Sequence, residues 1–293
     1  MRIADGEIEF VECCCIRHPS TILTSDKGKD RMQEMLNLDQ YPIDRPDTAK
    51  FRTLVAECRS AMASGGMFNL TGFVRPAAIN QAVSEISSQM NGHSFTHQRQ
   101  HNVYFKEAVE GLPPDHGALQ RFQTVHHTLC GDQLQGTVVH HIYEYLPLAA
   151  FLAEVMQKPR LYLMGDPLAR VNVIEYRDGE TLNWHFDRSQ FTVTLLLQSA
   201  STGGKFEYRS NLRTDADPNF NGVAALLDGR DLDRQVNPLA AGTLNVFAGK
   251  NTLHRVSTVG GPQSRLVVVF SYYDRPHVTF SESERVGFYG RSA

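Results

Sequence analysis

His185 and Asp187 stand two residues apart in the stretch NWHFDRSQFTVTLLLQ, residues 183–198. A run of this composition is predicted to be a strand, and residues two apart on a strand face the same way. Trp184, Phe186 and Arg188 then face the other way. An imidazole and a carboxylate on one side of a strand are either part of a metal site or a buried polar pair. The spacing alone does not decide. With 12 histidines in 293 residues, chance supplies about one H-x-D pair.

Two later residues sharpen the question. His254 opens the apolar stretch HRVSTV, and Arg265 opens RLVVVF. Two histidines and a carboxylate are the facial set that suits Fe(II) and leaves positions open on it. The same donors also bind zinc in hydrolases. An arginine on a neighbouring strand would project into the same cavity, where its planar fork suits a carboxylate better than a lysine would.

Such a set needs a scaffold that brings distant strands together. Beyond about residue 159 the chain reads as short β-branched and aromatic runs: RLYLM, ARVNVIEYR, QFTVTLLLQ, KFEYRS, TLNVFAG, LHRVSTV and RLVVVFSYYD. Turn signals separate them: GDP, RDGE, STGG and GGPQS. This pattern predicts a sandwich, jelly roll or barrel. Before it, FRTLVAECRSAMAS (51–64) has helical spacing and stops at Gly65-Gly66. FNLTGFVRPAAINQAVSEISSQM reads as a short strand and then a helix from near Pro76. Residues 116–134 and 146–157 are predicted helical, and residues 1–50 read as an irregular arm. The fold class expected is α+β. One domain spans 1–293, with 1–158 as mainly helical support and lid, 159–275 as the jelly-roll core and 276–293 as a tail.

The sequence resembles the Fe(II)/2-oxoglutarate-dependent oxygenases over roughly residues 160–275. The matching elements are YRDGETLNWHFD, GGKFEY, GTLNVFAGKNTLHRV and Arg265 on the following strand. The resemblance implies a double-stranded β-helix core. It implies His185, Asp187 and His254 as iron ligands and Arg265 as the clamp on the distal carboxylate of 2-oxoglutarate. The implied cofactors are Fe(II), 2-oxoglutarate and O2. Val267 stands where many members have serine, and Ile174 where many have asparagine. Asn172 and Tyr176 share a strand face and are candidates for contact with the co-substrate. Halogenases of this family lack the carboxylate, so Asp187 favours hydroxylation, desaturation or ring closure. The look of the core strands is nearest a branch acting on free amino acids. Arg75, at the strand-to-helix junction GFVRP, is the candidate partner for a substrate carboxylate. A zinc hydrolase and a jelly-roll binding protein with a vestigial triad are the other readings.

Composition sets outer limits. Hydrophobic residues make up 41%, charged residues 21%, and the net charge is −3, so no basic footprint for nucleic acid is expected. The acidic N-terminus lacks a signal-peptide pattern, and apolar runs such as LVVVF are too short to span a bilayer. A cytoplasmic protein with a small-molecule substrate is expected, and its five cysteines are expected to be reduced thiols. His93, His97 and His101 would share one face of a helix, but Gly92 and Phe95 argue against a long helix. A loop is favoured there over a second metal site. The pairs His126-His127 and His140-His141 read as helix-surface residues. Arg188 is expected in a structural ion pair, and Trp184 in an outer packing layer.

Overall fold

Strand alternation divides the second half of the chain into an outer and an inner face, and it does so in strands that the first half completes. The computed structural model describes residues 26–293. Its helices are α1 (Asp26–Met35), α2 (Ala49–Gly65), α3 (Pro76–His93), α4 (Val138–Tyr143), α5 (Leu146–Val155), α6 (Phe220–Leu227) and α7 (Glu282–Tyr289). The strands of the first half are β1 (Met67–Leu70), β2 (Phe95–His101) and β3 (Phe122–Leu129). Those of the second are β4 (Tyr162–Leu163), β5 (Val171–Tyr176), β6 (Leu182–His185), β7 (Thr192–Gln198), β8 (Thr202–Gly203) and β9 (Phe206–Arg209). They continue with β10 (Gln235–Asn237), β11 (Leu244–Phe247), β12 (Leu253–Val256), β13 (Val259–Gly260), β14 (Arg265–Phe270) and β15 (Tyr272–Tyr273).

A seven-stranded antiparallel sheet runs β1-β11-β7-β14-β5-β3-β2, and a four-stranded sheet runs β10-β9-β12-β6. Val171, Val173, Val193, Leu195, Val268 and Phe270 point outward from the large sheet into a core shared with α1–α5. Their strand neighbours point inward by the period of two. Tyr176, Ile174 and Val267 meet Val256 and Leu182 of the smaller sheet, closing one end of the barrel. This is the α+β double-stranded β-helix expected from the sequence.

Local chemistry accounts for the boundaries. The Thr48 side chain accepts from Phe51 N at the start of α2, and Gly66 ends that helix at φ 69°. Pro76 opens α3, where its missing N–H costs nothing. Four expectations are corrected, the first being the loop favoured at residues 93–101, of which Phe95–His101 form β2. Residues 122–129, predicted helical, form β3, because Thr124, Val125 and Thr128 pair across to the alternating run FTHQRQH of β2. His126 and His127 are thus strand residues. Within the stretch predicted as an irregular arm, α1 forms and buries Met32, and Leu36 just beyond it is also fully buried. Cys13, Cys14 and Cys15 lie outside the described residues. Cys58 and Cys130 are buried free thiols. His140 lies on α4 as expected but is buried. Among the described residues no helix is long and apolar enough to cross a membrane.

Candidate metal centre

β6 and β12 pair with His254 opposite His185, and the next pair is Val256 with Leu182. The register steps two residues on one strand and three on the other, which is a bulge. It turns both Leu182 and His185 into the barrel while Trp184 packs outside. Asp187 lies beyond the end of β6, and its N–H donates to Gly249 O at 3.1 Å. Phe186, between the two ligands, is held outside by Arg213, whose guanidinium lies 3.7 Å from its ring centre. Each ligand position is therefore set by a bulge, a backbone bond or a packed aromatic.

The three ligand atoms lie within 4.8 Å of one another. His185 Nε2 and His254 Nε2 approach Asp187 Oδ1 at 3.4 and 3.6 Å. His185 Nδ1 faces Asn183 O at 2.8 Å and His254 Nδ1 faces Thr252 O at 3.0 Å. A carbonyl can only accept, so each Nδ1 donates and each Nε2 is turned inward, where a neutral ring would offer a metal its lone pair. Burial, reinforced by His185, pushes the His254 ring down to about 4 against the opposing pull of Asp187 and the Thr252 carbonyl. Burial raises the Asp187 carboxyl, but His254, His185 and Thr192 outweigh it and hold the group well below the usual carboxylate range. Two inward-facing Nε2 atoms and a carboxylate thus converge, a donor set that fits a cation.

The surroundings agree. Thr192 Oγ1 donates to the other carboxylate oxygen, Oδ2, at 2.5 Å. A Cβ at Gly249 would collide with Asp187 Oδ2 and lie 2.6 Å from Thr192 Oγ1, so only glycine leaves the carboxylate room. Phe206, tilted, and Phe247, edge-on, pack around His254 at 5.5 and 4.8 Å between centroids. The donor set and its cradle fit Fe(II).

Arg265 pairs in register with Tyr176 across β14 and β5. It is 4% exposed, and its Nε has no hydrogen-bond partner. No acid pairs with it among the described residues. Burial lowers its pKa to about 10, opposed by Tyr176. A buried guanidinium without an anion is costly, so the site fits a carboxylate ligand. Val267 packs nearby in place of a hydroxyl. Asn172 faces inward as expected, but its amide donates to Leu168 O and accepts from Tyr289 of α7. Arg75 is not brought to this centre. Its guanidinium donates to Gln33 O, Leu36 O and Asp39, anchoring α1 to the start of α3. Arg188 pairs with Glu284 at 2.6 Å as expected. Glu207 and Arg209 are occupied in ion pairs with Arg255 and Asp231.

The sequence profile of the halogenase D family matches residues 52–284. The chain belongs to the halogenase D family. No curated protein matches it in sequence. Among solved structures, the epimerase SnoN in complex with Fe3+, alpha ketoglutarate and nogalamycin RO is similar at a TM-score of 0.54 and 14% identity, over 76% of this chain and 84% of that one. AviO1 from Streptomyces viridochromogenes Tue57 is similar at 0.51 and 14%, over 76% and 96%. The non-heme alpha ketoglutarate dependent carbocyclase SnoK gives 0.51 and 13%, over 78% and 89%. This halogenase D family member thus has the fold of the Fe(II)/2-oxoglutarate-dependent oxygenases and a His-Asp-His centre within it. The convergent donors of that centre fit a metal ion, and the buried Arg265 beside Tyr176 fits a carboxylate.

Proposed function

We propose that this family member hydroxylates an unactivated C–H bond of a small molecule, a free amino acid, rather than halogenating it. Asp187 carries the reading. On a bound iron it would take the position that halogenases lacking this carboxylate leave to a halide, and Thr192 and Gly249 are arranged to keep it in place. When bound, the iron supplies the oxygen-activating chemistry that couples loss of CO2 from 2-oxoglutarate to substrate oxidation. The chain's own residues do the rest. His185, Asp187 and His254 would hold the metal, Arg265 would hold the distal carboxylate of 2-oxoglutarate beside Tyr176, and the apolar end of the barrel excludes water. The free amino acid as substrate rests on the likeness of the core strands to that branch.

The test is anaerobic addition of Fe(II) and 2-oxoglutarate, followed by the visible charge-transfer band of their chelate. The band is expected in wild type, absent in His185→Ala, and in Arg265→Gln reached only at 2-oxoglutarate concentrations about 100-fold higher. A wild-type protein that shows no band and retains zinc supports a hydrolase instead. Product mass then separates the outcomes: hydroxylation adds one oxygen atom, whereas ring closure or desaturation removes two hydrogens.

A further inference from the structure

A second unpaired cation lines the barrel. Arg99 lies on β2 between His97 and His101, and the register sets His97 opposite His126 and Arg99 opposite Thr124. β3 pairs with β5, and the His126 ring lies 5.8 Å from that of Tyr176, the neighbour of Arg265. Arg99, His97 and His126 therefore share the inner face that carries Arg265.

Arg99 is half-buried and has no ion pair or side-chain hydrogen bond among the described residues. Its guanidinium stands 4.6 Å from the centre of the Phe105 ring, and that ring stands 5.7 Å from His185. The cation is thus two ring contacts from a metal ligand. Phe105 is held there at φ 54°, a conformation that costs a phenylalanine energy and that stacks it on His101 at 4.5 Å. Next to Arg99, His97 and His126 stack at 4.8 Å with 14° between planes. His97 is 8% exposed, and the Nδ1 atoms of both rings have no partner. Buried nitrogens are rarely left without a partner, and these two are free to meet a water or a ligand oxygen.

An arginine fork beside two imidazoles matches a carboxylate and repels an ammonium. Two carboxylate sites would then lie on one wall. Arg265 is at the closed end, which suits a co-substrate that binds deep. Arg99 is half-exposed toward solvent, which suits a molecule that enters second. We propose that Arg99, with His97 and His126, holds a carboxylate of the oxidised substrate and so restricts the enzyme to acids. The proposal rests on the oxygenase reading of the metal centre.

The test uses the protein loaded with Fe(II) and 2-oxoglutarate. The twenty protein amino acids and their primary amides are screened by stimulated succinate release, in wild type, Arg99→Gln, Arg99→Lys and His97→Gln. At least one acid is expected to stimulate release, its amide about 100-fold less in kcat/KM. In Arg99→Gln the KM for that acid is expected to rise by a similar factor, with part recovered in Arg99→Lys and a smaller rise in His97→Gln. The charge-transfer band and the 2-oxoglutarate concentration that half-saturates it stay as in wild type. Amides as good as acids, stimulation by no acid, or a weakened 2-oxoglutarate affinity with an unmoved substrate KM each overturn the assignment. A wild-type protein without the band overturns the oxygenase reading itself, and the proposal with it.

Discussion

At Gly249 a single methyl group decides whether the Asp187 carboxylate can keep its place. The Cβ of an alanine there would meet Asp187 and Thr192, both already fixed by a hydrogen bond. Gly249→Ala is therefore expected to weaken metal binding by about 10- to 100-fold, in line with losses of groups that orient ligands. Metal titration checks this, and a melting temperature near wild type shows that the effect is local. Wild-type affinity in the variant would mean that the carboxylate does not ligate. The sequence named His185, Asp187, His254 and Arg265 through donor type and a family resemblance, and the structure brings the first three together although Asp187 lies beyond the end of β6, where strand parity has no hold. Thr192 and Gly249 were not, because their roles exist only once the end of β6, the start of β7 and the turn after β11 meet. Arg75 looked like a binding residue for the same reason: nothing in GFVRP reveals that Gln33, Leu36 and Asp39 will occupy its guanidinium.

Between elements, β2 shows how two periodicities compete in one run. Histidines at 93, 97 and 101 suggest a helix face, whereas Phe95, His97, Arg99 and His101 alternate as a strand. The strand wins because β3 supplies a partner along its whole length. The signal was present in FTHQRQH, but only pairing gives it force. α7 depends on one buried acid. Asp166 is fully buried and accepts from Leu168 N, Ala169 N, Phe280 N and Arg285 Nε, at 2.8 to 3.1 Å. Burial raises its pKa, but Arg285 and the three N–H groups outweigh burial and leave it below the ordinary value of 3.8. A lowered folded pKa gives stability that is present above the unfolded value and is lost as pH falls through the folded one. Asp166→Ala is expected to cost about 3 kcal/mol near neutrality, since it strands Arg285 and three donors. In denaturant titrations the gap between wild type and variant should hold above the ordinary carboxylate value and shrink below it. A gap independent of pH would show that the carboxylate charge does not hold α7.

For the molecule as a whole, a triad that fits a cation and a buried guanidinium that fits an anion mean that bound ligands and the fold would support one another. Anything that binds only the folded state stabilises it by mass action, about 2.7 kcal/mol at a hundredfold excess over Kd. Mn(II) and 2-oxoglutarate together are expected to raise the melting temperature by about 5 to 10 °C in a chain of this size. The 2-oxoglutarate share should vanish in Arg265→Gln, and a share that survived would place the anion elsewhere. The pairing of β1 with β11 has a different consequence, for the order in which the chain folds. Met67 meets Phe247, and Asn69 meets Asn245. The edge strand of the large sheet is made early in synthesis and must wait for most of the chain before it has a partner. Helix contacts can form locally in the meantime, but the barrel has no closed wall until the segment that carries His254 arrives. Assembly of the His-Asp-His centre should then be the slow, late event in refolding, with an unpaired β1 edge exposed to aggregation until it happens.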